Sequence, residues 1–219
     1  MKAQTLEGQV IVYGASGHGK VVADTLSSCG LEVEGFIDDD PQKCIGGSDL
    51  KILGNAKWLA EQAIRRPVAV ALGIGDNFCR RTVAESCVKA GVRLVTAIHP
   101  SATVALSAKM SRGVVIMAHA VVNADAVIGE GAIINTAAIV EHDCHVGNFA
   151  HLSPRVVIGG HVRVGDCSWL GIGSTVIPNI EIGACSIVGA GATVLHDVDD
   201  WVVVVGTPAR TLKELTRRI

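Results

Sequence analysis

Counting in sixes from Val104, the chain reads Met110, Ile116, Val122, Ile128, Ile134, Val140, Val146, Leu152, Ile158, Val164, Leu170, Val176, Ile182, Val188 and Val194, with no polar interruption. Two positions before most of these stands a small residue: Ala102, Ala108, Ala120, Ala126, Ala132, Ala138, Cys144, Ala150, Ser168, Ser174, Ser186 or Ala192. A period of six is neither the 3.6-residue repeat of a helix nor the simple alternation of a flat strand. It suits a chain wound as a parallel β-helix of triangular section, in which each hexapeptide supplies one short strand and one corner. The large aliphatic then points to the axis and the small residue tucks in near the corner. Gly129, Gly147, Gly165 and Gly183 lie eighteen apart, one coil, and are expected to support the backbone of a turn. Residues 98–200 hold about five such coils, wound left-handed against the usual right-handed crossover.

Residues 1–97 follow another pattern. QVIVYG is an apolar run ending in glycine, followed by the Gly-rich turn and amphipathic stretch GASGHGKVVADTLSSCG. EVEGFIDDDP and PVAVALGIGDN read as further buried strands, NFCRRTVAESCVKAG as a helix, and VRLVTAIHP as a strand leading into the coils. Strand and helix in alternation predict a small, parallel, Rossmann-like α/β sheet. After Asp200 the six-beat rhythm stops, and residues 201–219 are expected to form a strand and, over TLKELTRRI, a short helix.

Composition narrows the function classes. Hydrophobic residues make up 49 % of the chain and aromatics only 3 %, as a narrow aliphatic interior requires. The formal net charge is −2, and no basic patch marks a nucleic-acid partner. The N-terminal residues show no signal-peptide core and no apolar run is long enough to span a membrane. Seven cysteines without a CxxC pair read as reduced thiols, so a cytoplasmic location is expected.

Two stretches carry candidate chemistry. In the first domain, Gly14-Ala-Ser16-Gly17-His18-Gly19 stands between a strand and a helix. Glycines there let a phosphate reach backbone N–H groups at the positive helix end. The spacing matches neither the dinucleotide fingerprint nor the P-loop, so a tight packing turn competes with a phosphate site. Asp38 and Asp39 end the next strand beside the same crevice, where carboxylates commonly accept hydrogen bonds from ribose or base; a solvated turn before Pro41 is the other reading. Half a dinucleotide fold favours a single nucleotide.

The second stretch is IVEHDCHVGNFAHLSP, residues 139–154. The rhythm sends Val140, Val146 and Leu152 inward and places Glu141, His142 and Asp143 on an outward corner. His145 and His151 are expected to face out on flat sides. One coil on, Gly160 should stack on His142 at about 4.8 Å, and Gly159-Gly160 is expected to be a bare patch of accessible N–H groups. A base beside such a donor suits acyl transfer: the imidazole takes the nucleophile's proton and the N–H supports the oxyanion. Asp143 or Glu141 would orient the imidazole. The spacing matches no zinc motif, and no metal is expected. His142 and His151 lie half a coil apart, so they meet only if coils of neighbouring subunits pack side by side; a homotrimer with sites between subunits is expected.

VYGASGHGKVV, GFIDDD, GIGDNFCRR, NTAAIVEHDCHVGNFAHLSP, VGAGATV and VVGTPAR together resemble the bacterial sugar acetyltransferases of the sialic acid O-acetyltransferase branch. The branch includes N-acetyltransferases of nucleotide-linked 4-amino sugars, among them the UDP-bacillosamine pathway enzyme and GDP-perosamine N-acetyltransferase. The resemblance implies acetyl-CoA as co-substrate, a UDP- or GDP-linked amino sugar as acceptor, and a role in surface glycan synthesis; O-acetylation of sialic acid or another hydroxyl is the alternative. It implies that His142 is the general base, with Asp143 where relatives often have Glu. His151 would contact acetyl-CoA, Asn135 would lie near the catalytic histidine, and Ile172 and Ala190 would line the pantetheine groove. Ser16, Gly17 and His18 would form the loop over the diphosphate, Asp38 and Asp39 the nucleoside contacts, and Gly75, in a loop longer than that of relatives, a further substrate contact.

Overall fold

The computed structural model describes residues 9–40, 42–43 and 50–216. The chain divides into two compact units, Met1–Pro100 and Ser101–Ile219.

In the first unit, strands β1 (Val10–Tyr13), β2 (Val33–Ile37), β3 (Ile52–Gly54), β4 (Ala69–Leu72) and β5 (Arg93–Leu94) form one parallel sheet in the order β3-β2-β1-β4-β5. A two-residue strand, β6 (Ala97–Ile98), ends the unit. Helices α1 (Gly17–Ser28), α2 (Ala56–Arg65) and α3 (Asn77–Lys89) supply the crossovers. β1 and β4 carry almost wholly buried aliphatics, as strands covered on both faces must. Sequence patterning did not reveal β3 or α2: the strand is three half-buried residues, and α2 buries only Leu59. The order reverses between β1 and β4, so the loops after these two strands flank the crevice where open α/β sheets bind ligands. Those loops touch. A Cβ on Gly14, whose φ is 110°, would stand 2.7 Å from the Gly73 carbonyl oxygen, and one on Gly73 would stand 2.9 Å from the Gly19 α-carbon. Only glycine permits that approach.

The second unit is a left-handed parallel β-helix. Among the described residues, sixteen two-residue strands, β7–β22, run in steps of six from Thr103–Val104 to Thr193–Val194. Each pairs in parallel with the strand eighteen residues away, as Val140 does with Val122 and Ile158. From Ile116 to Val194 every inward aliphatic is at most 2 % exposed, and the small residues beside them are also buried. Burial of each such side chain contributes about 1.5–3 kcal/mol, repeated coil after coil.

The corners follow a rule that the glycines had obscured. Every sixth residue from Gly113 to Gly191 has φ between 54° and 70°. Four of these are glycine; the others include Asp125, Ala137, Asp143, Phe149, Arg155, His161 and Asn179. Each L-residue so placed costs about 1–2 kcal/mol, which the ladders and the core offset. The column Gly129, Gly147, Gly165 and Gly183 is not part of this set, which corrects the expectation that it serves the turn. Its role is close stacking: a Cβ on Gly129 would lie 2.6 Å from the Asn148 nitrogen, and one on Gly165 would lie 2.5 Å from the Ala184 nitrogen.

After the last coil, strand β23 (Val202–Val205) continues one face and β24 (Arg210–Glu214) returns antiparallel to it. The expected terminal helix is therefore replaced, through Glu214, by a strand; residues 217–219 lie outside the described residues. TLKEL has good helix formers, but a helix of one or two turns is marginal alone. The open edge of β23 satisfies the same backbone groups through a hairpin turn at Gly206–Ala209. Among the described residues no helix is long and apolar enough to cross a membrane.

Candidate active site

The coil corner after Val140 presents Glu141, His142 and Asp143 in succession. Asp143 has φ 59° and its N–H donates to the Ala124 carbonyl of the preceding coil at 3.0 Å. This conformation turns its carboxylate back on its neighbour: Nδ1–H of His142 donates to Asp143 Oδ2 at 2.8 Å. A carboxylate only accepts, so this contact puts the imidazole proton on Nδ1 and leaves the Nε2 lone pair for chemistry. Glu141 is engaged elsewhere, accepting from Asn123 Nδ2 at 2.9 Å. Of the two carboxylates considered from sequence, Asp143 is therefore the one that holds the ring.

Gly160 stands one coil beyond His142, as the eighteen-residue stacking requires. The imidazole lies directly across it, so that a Cβ on Gly160 would be 2.6 Å from His142 Cε1 and 2.7 Å from Nε2. The expected bare patch is smaller than the sequence suggested. The Gly159 N–H donates to Val176 O at 2.9 Å, and Gly160 is buried, so ladder pairing removes the Gly159 N–H from the patch.

His161, which sequence reasoning missed, closes the other side of the corner. Its ring meets that of His142 edge-on, with centroids 5.3 Å apart and planes at 89°, and its Nε2 is 3.7 Å from Asp143 Oδ2. The stacking rule that paired residues 142 and 160 also pairs 143 with 161 and would have found it. Among the described residues, His142, Asp143 and His161 form a group of donor atoms within 4.8 Å that could hold a metal ion. All three are exposed, and the His142 nitrogen that faces Asp143, Nδ1, already carries the proton donated to that carboxylate. His145 lies in a different face, paired with Val127 and Arg163, outside this cluster. Cys144, next in the chain, is no competing nucleophile: burial pushes its thiol up to about 11.

His151 corrects an expectation. It occupies an outward register position beside Leu152, yet is only 8 % exposed. Its ring stacks with Trp169 at 6.2 Å and 19°, while the Trp169 indole N–H donates to Ser153 Oγ at 2.7 Å. Asn135 Oδ1 accepts the Thr136 N–H at 2.8 Å, which turns its amide NH2 toward His151 Nε2 at 3.0 Å. His151 thus accepts through Nε2. Within the chain, Asn135 joins His151 rather than His142. Ile172 and Ala190 stack one coil apart on this same corner of the prism, both exposed, with the Gly191 N–H bonded to Ile172 O at 2.8 Å. The corner bearing His142 is another one.

In the first unit, Ser16 begins α1 without a side-chain cap, and the helix has no acidic residue in its first turn. No acid within the helix itself therefore counters its positive end. A Cβ on Gly17 or Gly75 would meet nothing within 4 Å, so both leave open backbone. His18 is largely buried; burial, and then the charge of Arg80, lower its pKa to about 4. Arg80 was also missed. It is fully buried, and its guanidinium donates to Ile74 O and Gly75 O at 3.0 Å and to Asn77 Oδ1 at 2.8 Å, which fixes the Gly75 loop from within. Asp38 accepts the Ala15 N–H at 2.8 Å and the Asp40 N–H at 3.0 Å. Asp39 accepts the Tyr13 hydroxyl at 2.6 Å and the Ala56 N–H at 2.9 Å. Both carboxylates therefore brace the loops around the crevice.

Comparison with known proteins agrees in both units. The PglD N-terminal domain family matches residues 9–87. A mutant of perosamine N-acetyltransferase from Caulobacter crescentus, solved in complex with CoA and GDP-perosamine, is 39 % identical, with a TM-score of 0.91 over 95 % of this chain and 99 % of that one. The chain belongs to the perosamine and bacillosamine N-acetyltransferase family. Another member, the acetyltransferase domain of PglB from Neisseria gonorrhoeae in complex with acetyl coenzyme A, is 36 % identical, with a TM-score of 0.88 over 93 % of this chain and 98 % of that one. The curated UDP-N-acetylbacillosamine N-acetyltransferase of Bacillus subtilis (strain 168) is 38 % identical over 110 residues, half of this chain and 51 % of that protein. The chain thus aligns with about half the length of this curated relative. Family membership accounts for a parallel α/β sheet and a β-helix in one chain.

Proposed function

We propose that this protein is an acetyl-CoA-dependent N-acetyltransferase that acetylates the amine of a nucleotide-linked 4-amino-deoxy sugar, UDP- or GDP-activated, in bacterial surface glycan synthesis. The observation that carries this reading is the seat of His142: Nδ1 tied to Asp143 at 2.8 Å, ring laid on Gly160. That arrangement presents Nε2 as a base. The sugar amine attacks the thioester carbonyl carbon, forming the C–N bond, while His142 takes the amine proton. The Gly160 amide is the donor proposed for the oxyanion. Collapse breaks the C–S bond, and the imidazolium returns its proton to the departing thiolate.

In the same reading, the first unit binds the nucleotide. Ser16, Gly17 and His18 at the positive end of α1, and Gly75 in its open loop, receive the diphosphate; Asp38 and Asp39 shape the loops for the nucleoside. His151, Asn135, Ile172 and Ala190 serve acetyl-CoA. Because these four occupy a different prism corner from His142, a complete site requires a neighbouring copy, which supports a homotrimer. The outward aliphatics Val121, Ile139 and Val157, stacked on one face, and the exposed Ile177 and Leu195 suit such packing. Thiols spread along the chain support a cytoplasmic location.

The test is thiol release from acetyl-CoA across UDP- and GDP-linked amino sugars, beside sialic acid as hydroxyl acceptor, with native protein and His142→Ala. Turnover of a nucleotide amino sugar that falls about 10²–10⁴-fold in the variant is expected. Turnover on sialic acid alone, or full activity of the variant, would overturn the reading.

A further inference from the structure

We propose that His161 is a positioning residue for the general base: it stands beside the Asp143 carboxylate oxygen that holds His142 and packs against the imidazole, so that Nε2 stays aimed at the amine. This rests on His142 being the base.

The backbone makes the placement dependable. Asp143 and His161 occupy equivalent left-handed corner positions, φ 59° and 61°, on successive coils. The His161 N–H donates to the His142 carbonyl at 3.1 Å, so the two histidines are joined through the main chain before their side chains meet. Above that bond, His161 Nε2 stands 3.7 Å from the Asp143 oxygen that accepts from His142. This is too long for a hydrogen bond, but an N–H at that nitrogen is drawn to the carboxylate as a dipole, with no net charge on the ring required. The edge-on ring contact packs the His161 ring against the imidazole.

The three groups need such support because they are not walled in by the chain itself. Side-chain exposure is 55 % for His142, 44 % for Asp143 and 57 % for His161. A carboxylate on two rotatable bonds in that setting samples several rotamers, and a base that is misaimed loses rate without losing substrate. The neighbouring groups leave this task to His161. On the preceding coil, Glu141 is bound to Asn123. On the following coil the corner carries Ile177, Pro178 and Asn179, none of them titratable. Asp125, one coil before Asp143 in the same column, the buried thiol of Cys144, and the strand residues His145 and Arg163 are further charged or titratable neighbours.

The experiment is steady-state kinetics of the full-length protein with acetyl-CoA and its best nucleotide amino sugar. It compares His161→Ala, His161→Gln, Asp143→Ala, the Asp143→Ala/His161→Ala pair and His142→Ala, with thermal denaturation of each. His161→Ala is expected to lower kcat about 3- to 10-fold while KM for both substrates stays within about 2-fold. His161→Gln, whose amide N–H can face the same carboxylate, is expected to restore much of the rate. In the Asp143→Ala background, His161→Ala costs little more, because the carboxylate it holds is gone. An unchanged kcat in His161→Ala, a loss just as large without Asp143, or a change confined to KM would overturn the proposal. Full activity of His142→Ala would instead remove the base reading itself, and this inference with it.

Discussion

The imidazole of His142 lies across the α-carbon of Gly160, one coil away, closely enough that a methyl group there would stand 2.6 Å from Cε1. Glycine at this position is thus required by the base, since the β-helix itself puts no left-handed φ there. Gly160→Ala is expected to push the ring aside. The obstructed atom is the far end of an exposed side chain, so the cost to the fold is small, within about 1 kcal/mol. The rate should fall by roughly 10-fold or more, as misplacement by an ångström commonly does. Thermal denaturation and kcat measured together check this; undiminished activity in the Gly160→Ala variant would show that the ring does not work from this position.

Asp143 and Glu141 flank the same histidine but have different partners. Asp143→Asn replaces a pure acceptor with an amide whose NH2 can face Nδ1 and favour the wrong tautomer. A kcat loss of about 10- to 100-fold is expected. Glu141→Gln leaves the His142 contact intact and disturbs only the bond to Asn123, so kcat should change less than about 3-fold. The ordering of the two losses decides which carboxylate serves the base, and the reverse order would contradict the observed hydrogen bonds.

His18 is held neutral. Its pKa is lowered to about 4 by burial first and by Arg80 second, against about 6.5 in an unfolded chain. Protonation therefore favours the unfolded state. The stability this histidine contributes is complete above about pH 6.5 and is lost as pH falls toward 4, at no more than about 1.4 kcal/mol per pH unit. Urea unfolding of His18→Gln should show a flatter decline between those limits than the native protein. In the proposed nucleotide-binding role, a neutral imidazole would meet the diphosphate as a hydrogen-bond donor and not as a cation. An unchanged acid slope in the variant would mean that His18 is not buried neutral.

The parts of the site legible in the sequence were those governed by register. Counting by eighteen placed His142 on Gly160, because a ladder of about 4.8 Å steps converts sequence distance into spatial distance. The same count contained His161, and applying it to Asp143 would have shown it. Reading the glycine column as turn support failed because hexad patterns do not distinguish a residue without a side chain from one with a permissive φ; the corners use Asp, Asn, Phe and Arg for the latter. His151 was read as outward from the strand alternation, which sets direction but not what covers a residue. Asp38 and Asp39 looked like free ligands because their partners, Tyr13 at the end of β1, Ala15 in the loop after it and Ala56 at the start of α2, are distant in the chain.

What the amino-acid order determined by itself was the winding: fifteen aliphatics and one methionine at six-residue steps admit one periodic solution, and a parallel sheet for the first unit follows from alternation alone. What only the tertiary structure decided was selection among neighbours. Asp143 rather than Glu141 on the imidazole, a buried neutral His18 against Arg80, and a returning strand in place of a terminal helix are each choices between local options of similar energy. They are settled by distances of a few ångströms and by the open backbone edge nearby, which exist only after the coils and the sheet have formed.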